Sequence, residues 1–293
     1  MAAAKLAVLS TVELNPPTLE SRTRPGIPML SYRHAFHAGN PADVFKHAVL
    51  IALVRAMQCK EKGIRFIDTH AGAAMYDLSK EFAQKNLEFE RGIGAWWNSN
   101  EVPDPLVDYL AAVRRHNPDG ALRFYPGSPQ LLMDHQRTQD ELVICELHST
   151  EQQVLREHFE QARKVRIHAG DGYAALERWL PPPTGRALVL IDPPYERKSE
   201  LDDLAVAMAG ALKRCAHGVF AIWYPVIEGR ETTLDRIPGS LGLDGERWLD
   251  LRVMFTEAQR MGRMTGCGMA VVNCPYRARA ELHALADGWP FRS

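Results

Sequence analysis

The sequence predicts an α/β fold, a mostly parallel sheet with helices on both faces. Three observations predict it. Short apolar runs alternate with stretches of helical periodicity along most of the chain. Several of these runs end in an acidic residue followed by a turn former. The length of 293 residues and a 46% hydrophobic content suit one large α/β domain with an insertion, or two domains.

The elements follow in order. Residues 1–28 are rich in Pro, Ser, Thr and Ala and read as a flexible extension, with ordered chain expected from near Met29. Asn40 can N-cap a helix that has Pro41 at its first position and runs to about Met57. Val44, Ala48, Ile51 and Ala52 then share a face. A strand at 64–68 ends in Thr69-His70-Ala71-Gly72-Ala73-Ala74. From Leu78 to His116 the pattern is helical and polar, which predicts a small helical insertion over about 78–124. Trp96 and Trp97 inside it are expected in its core.

Gly127-Ser128-Pro129 starts a helix, and 142–146 is a strand. Ser149 with Gln152 predicts a capping box for the next helix. A strand at 165–167 leads to Gly170-Asp171-Gly172 and a helix to Leu180. Strand 186–191, helix 201–214 and strand 219–223 follow. Strand-like runs at 249–255 and 269–274 precede a short helix at 279–286.

The net charge of −1 excludes a global basic field, so any nucleic-acid surface must be a local patch. The five cysteines are scattered, odd in number and without a Cys-x-x-Cys pair. They read as free thiols in a reducing compartment rather than a zinc site. No apolar run is long enough to span a bilayer, and the N-terminal segment is a poor signal peptide with Lys5 inside its apolar part. Cytoplasmic location is the expectation.

The chemistry concentrates at strand ends. The apolar run 186–191 ends in Asp192-Pro193-Pro194-Tyr195. Two prolines stiffen the turn because each fixes φ. A carboxylate and the Pro193 carbonyl can accept both hydrogens of an exocyclic amine, and the Tyr195 ring can lie on a flat substrate. The plainer alternative is an ordinary strand-to-turn signal with a packed tyrosine.

Asp68, Glu146, Asp171 and Asp192 all fall at or just past strand ends, where open parallel sheets bind ligands. The loop after the first strand has Gly72 but no row of glycines to cradle a pyrophosphate. S-adenosylmethionine, which carries no phosphate and two cationic groups, fits such a loop. Glu146 suits its ribose diol and Asp171 its adenine amine, although either acid could simply cap a helix.

Five stretches together carry a resemblance: 29–40 (Met-Leu-Ser-Tyr-Arg-His-Ala-Phe-His-Ala-Gly-Asn), Asp43 to His47, Asp68 to Gly72, Tyr125 to Pro129, and Asp192 to Glu196. Over about residues 29–290 the chain resembles the ribosomal RNA large subunit methyltransferase J family. The resemblance implies a Rossmann-like S-adenosylmethionine-dependent methyltransferase sheet with a small inserted helical subdomain. It implies methylation of N6 of adenine 2030 in 23S rRNA. His47, His70, Ser128, Glu146, Asp171, Gly172 and Asp192 match the family's cofactor positions, and Asp192 its catalytic acceptor. Tyr32 matches a tyrosine that contacts the RNA, with His34 and Lys46 expected to line the same site.

His34, His37, Lys46 and His47, beside Tyr32 and Arg33, suggest a cationic and aromatic platform for phosphate and base. For His37 a core or capping role is the better reading. No further ligand motif accompanies His34 and His37, so no metal is expected.

Two departures from the family pattern stand out. Ala74 replaces a usual glycine in the cofactor loop, which matters only if its φ is positive. Residues 1–28 lie outside the resemblance. Rival readings are an N6-adenine methyltransferase acting on DNA or another RNA, a nicotinamide-dependent dehydrogenase, and a non-catalytic RNA-binding relative. A monomer is expected.

Overall fold

The computed structural model describes residues 34–197, 199–229 and 233–289. Tyr32 and the 1–28 extension lie outside the described residues.

A single 3-10 turn, His34–Phe36, leads into α1 (Pro41–Gln58). The Asn40 side chain accepts from the Asp43 N–H at 2.9 Å, and Pro41 occupies the first helical position. Every residue from Pro41 to Val54 is buried. A helix apolar nearly all round is a core helix, so the polar groups near its start are carried into the interior.

The chain continues through β1 (Arg65–Asp68) and β2 (Met75–Asp77) into four short helices, α2 (Glu81–Asn86), α3 (Glu88–Arg91), α4 (Ile93–Trp97) and α5 (Asp104–Arg114). It returns through β3 (Phe124–Pro126) and α6 (Ser128–Asp134). Then come β4 (Glu141–Glu146), α7 (Ser149–His158), β5 (Val165–Ala169), α8 (Gly172–Trp179), β6 (Ala187–Ile191), α9 (Glu200–Arg214) and β7 (Val219–Ile227). The last elements are α10 (Ile237–Ser240), β8 (Trp248–Met254), β9 (Met264–Val272) and α11 (Tyr276–Asp287).

Seven strands form one sheet in the order β5-β4-β1-β6-β7-β9-β8. β5, β4, β1, β6 and β7 pair in parallel, and β9 runs antiparallel to both its neighbours. The sheet has a core on each face. Phe66 of β1 belongs to the core that holds residues of α1, α5, α6 and α11, whereas its neighbour Ile67 belongs to the core that holds residues of α8 and α9. This is the alternation a two-sided strand imposes. Among the described residues, no helix is long and apolar enough to cross a membrane.

Two details depart from the sequence expectation. β2 and β3 form an antiparallel ribbon at the base of the insertion, with Tyr76 opposite Tyr125. Three residues per strand are too few for a readable alternation. The capping box at Ser149 is absent: α7 begins at Ser149 with His148 at the N-cap. The Gln152 amide instead donates to the Glu146 carbonyl at 2.9 Å, so it is not free to cap. Trp96 and Trp97 are both buried, and the Trp97 indole donates to the Gly120 carbonyl at 2.9 Å.

Candidate active site

In the parallel part of the sheet the chain steps from β1 outward to β4 and β5, then reverses to β6 and β7. The crevice between the carboxyl ends of β1 and β6 is thus the topological switch point. Asp68 ends β1, and Asp192 follows β6 immediately. Glu146 ends the adjacent β4, and Asp171 lies just beyond β5. The four acids read from the sequence therefore share one rim.

Asp192 is tied to α1. Its Oδ2 accepts from Lys46 Nζ at 2.6 Å, and Lys46 also donates to Asp43 Oδ1 at 2.8 Å. Asp43 Oδ2 in turn meets His34 Nε2 and the Gly39 N–H, each at 2.9 Å. Burial opposes the charge on Lys46, whose side chain is 5% exposed, but Asp192 and Asp43 raise its pKa above the ordinary lysine value. Burial opposes Asp43 likewise, yet His34 and Lys46 hold it well below the usual carboxylate range. Oδ1 of Asp192 has no hydrogen-bond partner among the described residues.

Tyr195 sits at φ 53°. A non-glycine residue in this left-handed region costs on the order of 1 kcal/mol. The Tyr195 hydroxyl offsets this by donating to the Trp223 carbonyl at 2.7 Å, and its half-buried ring tilts against the Trp223 indole with centroids 6.1 Å apart. Lys46 Nζ lies 6.0 Å from the same indole centroid. The strained turn holds a tyrosine ring beside the acceptor carboxylate.

Across the rim, Glu146 fixes the loop after β1. Its Oε2 accepts from the Gly72 N–H at 2.8 Å and its Oε1 from the His148 N–H at 2.7 Å. Gly72 has φ +59°, and a Cβ there would lie 2.7 Å from the Tyr76 hydroxyl. Asp171 does cap α8, accepting from the Tyr173 N–H at 2.8 Å through Oδ1. Gly172 lets that helix start press on the loop: a Cβ would sit 2.0 Å from the Thr69 carbonyl.

His70 meets the Thr69 hydroxyl at 2.8 Å, and burial lowers its pKa. Ser128 is buried at the start of α6. Asp68 is fully buried, its Oδ2 has no hydrogen-bond partner, and burial pushes its pKa up to about 7 although Ser128 pulls the other way. His47 is equally buried, with Nδ1 on the Tyr125 hydroxyl at 2.7 Å and Nε2 unpartnered. Burial and the Lys46 ammonium lower its pKa to about 3, so it is neutral.

The family model described as RsmJ, ribosomal RNA large subunit methyltransferase D, RlmJ, matches residues 61–289. The chain belongs to this family. It is 38% identical to ribosomal RNA large subunit methyltransferase J of Escherichia coli (strain K12) over 258 residues, covering 87% of this chain and 91% of that protein. It is also 38% identical to the protein of the same name from Haemophilus influenzae, over 88% of this chain and 92% of that one. Among solved structures it is similar to protein LPL1258 from Legionella pneumophila. That match has a TM-score of 0.77 and 31% identity, covering 86% of this chain and 92% of the other.

Ala74 is fully buried and is absent from the residues with positive φ, so alanine in place of the family's usual glycine strains nothing. Two members of the expected cationic platform are not at the surface. Lys46 and His47 are interior groups, because they sit on the first turns of a buried helix, and Lys46 is matched by two carboxylates. His37 pairs with Glu88 of α3 at 2.9 Å, which ties the motif before α1 to the insertion. His34 reaches the site through Asp43. Tyr32 lies outside the described residues.

Sequence reasoning quoted Asp43 in the motif without giving it a role. The signal was available, since Asp43 and Lys46 are three apart on one helix and share a face. Trp223 and the spare oxygen of Asp68 carried no such signal.

Proposed function

We propose that this chain transfers a methyl group from S-adenosylmethionine to N6 of adenine 2030 in 23S rRNA, acting as a monomer in the cytoplasm. The observation that carries the reading is the Asp192-Pro193-Pro194-Tyr195 turn at the switch point, with Asp192 held on one oxygen by Lys46 and open on the other.

The rim suits the cofactor. It presents carboxylates rather than the cationic side chains or glycine row a pyrophosphate needs, and two buried polar atoms, Asp68 Oδ2 and His47 Nε2, lack protein partners. Glu146 would face the ribose, Asp171 the adenine through its open Oδ2, and His47, His70, Ser128 and Gly172 would line the remainder. When bound, S-adenosylmethionine supplies an electrophilic methyl on a positively charged sulfur leaving group.

The protein's part is positioning and exclusion of water. The target adenine must leave its stack to present N6. The Tyr195 ring supports the flipped base. Asp192 Oδ1 and the Pro193 carbonyl accept the two amine hydrogens, which turns the nitrogen lone pair toward the methyl. Asp192 takes the proton released as the new C–N bond forms. Lys46 fixes the carboxylate plane for this, and Tyr32, His34 and the turn before α1 would guide the RNA strand.

Mass spectrometry of 23S rRNA from cells with and without this gene tests the reading. Adenine 2030 should carry an N6-methyl group only when the gene is present. An unchanged level in its absence, or transfer by the purified protein to duplex DNA in preference to 23S rRNA, would overturn it.

A further inference from the structure

The buried polar chain behind His47 belongs to the insertion, not to the sheet. His47 Nδ1 lies 2.7 Å from the Tyr125 hydroxyl, and that hydroxyl lies 3.1 Å from the Tyr109 hydroxyl. Tyr125 is on β3 and Tyr109 on α5, at the far end of the helical segment. The Tyr125 ring also stacks on the imidazole, with centroids 5.7 Å apart and planes 28° apart. Both tyrosines are fully buried, and His47 is 1% exposed.

Hydrogen-bond accounting sets the direction of this chain. If Nδ1 donated to Tyr125, Tyr125 would donate to Tyr109, and the Tyr109 proton would have no acceptor among the described residues. That direction leaves two buried groups unmatched, the Tyr109 proton and the bare Nε2 lone pair, at about 1–3 kcal/mol each. In the other direction Tyr109 donates to Tyr125 and Tyr125 donates to Nδ1, so both hydroxyl protons are used. The imidazole then carries its own proton on Nε2. That leaves one buried group unmatched, a spare donor on Nε2, whereas the unmatched atom of Asp68 is an acceptor.

We propose that Tyr109 and Tyr125 are positioning residues that lock His47 as the Nε2–H tautomer, so that the helical insertion presents a neutral donor to the carboxylate of the cofactor's amino-acid end. This rests on the S-adenosylmethionine reading above. It gives the insertion a part in cofactor binding besides any part in holding RNA. The low pKa of His47 agrees with a neutral ring.

Two measurements test it. Nitrogen-15 NMR of the histidine ring in the ligand-free protein should show a protonated Nε2 and a bare Nδ1 for His47. A protonated Nδ1 would overturn the proposal whatever the protein binds. Calorimetry with S-adenosylhomocysteine and with 5′-methylthioadenosine, which lacks the amino-acid end, tests the destination. Tyr125→Phe should weaken the first about five- to tenfold and leave the second unchanged. Tyr109→Phe should weaken the first about twofold. Equal weakening of both ligands, or none, would overturn the assignment. Failure of the wild-type protein to bind S-adenosylhomocysteine would instead defeat the cofactor reading. Should Tyr125→Phe fold poorly by its melting curve, Tyr109→Phe and the wild-type spectrum still decide.

Discussion

Two buried aspartates at opposite ends of neighbouring strands show how this molecule separates structure from function. Asp140 precedes β4 at the amino end of the sheet, and Asp68 ends β1 at the carboxyl end. Both are 0% exposed. Asp140 is saturated: it accepts from the Ile64 N–H at 2.8 Å, from the Arg137 N–H at 3.0 Å and from both arms of the Arg137 guanidinium. Asp68 has a long contact with the His70 N–H at 3.4 Å and the Ser128 hydroxyl to favour its charged form, and its Oδ2 has no partner. Burial would raise both pKa values, but Arg137 lowers that of Asp140, whereas Asp68 is left near 7. A protein gains nothing by leaving a buried carboxylate unmatched. On the function proposed above, the unmatched rim is where a ligand completes the hydrogen bonding.

The largest effect expected concerns Asp192 on that same rim. Asp192→Ala should lower methyl transfer to 23S rRNA by about 10³-fold, the scale of a positioned proton acceptor. Its melting temperature should stay near wild type, since Lys46 keeps Asp43. Turnover close to wild type would break the assignment of the rim to chemistry.

At the opposite end the order reverses. Asp140→Ala should lose about 3 kcal/mol of stability, because it strands the backbone donors and Arg137. Turnover per folded molecule should be unchanged. Urea unfolding beside an activity assay checks both.

The pH dependence sharpens the contrast. Folded Asp68 keeps its proton to about pH 7, while an unfolded aspartate releases it near 3.9. The folded state therefore binds the extra proton between those values, and the Asp68 contribution to stability falls as pH rises through that window. Asp140, with its lowered pKa, has the opposite sign: its contribution is present above the unfolded value and is lost as pH drops through the folded one. Asp68→Asn should thus be more stable than wild type at pH 8 by on the order of a few kcal/mol, with the gap closing near pH 4. Denaturation curves across that range that run parallel for the two proteins would refute the unmatched carboxylate.

The smallest effect is expected at Ala74. Glycine there should cost about 1 kcal/mol through the unfolded chain and the lost methyl, with no gain in cofactor affinity. A clear gain in affinity would mean that the loop needs the glycine after all.

Much of this arrangement was legible in the sequence, and the reasons are local. The α1 start was readable because Asn40 and Pro41 are a cap and a first-turn residue side by side. The rim acids were readable because each closes a short apolar run. What escaped depends on distance along the chain. Lys46 and Asp192 are 146 residues apart, and no periodicity reveals that a buried helix start will meet a strand end. The same holds for Tyr109 and Tyr125 behind His47. The Ser149 box looked right in spelling but failed because Gln152 had nearer carbonyls to bond.

The comparison is tested most directly by the melting shift that S-adenosylhomocysteine produces in wild type, Asp68→Asn and Asp140→Ala. Ligand at about 100 times Kd should stabilise wild type and Asp140→Ala alike by about 2.7 kcal/mol. Asp68→Asn should gain distinctly less at the same concentration. An equal shift in all three proteins would contradict the claim that the unmatched end of the sheet is where the ligand binds.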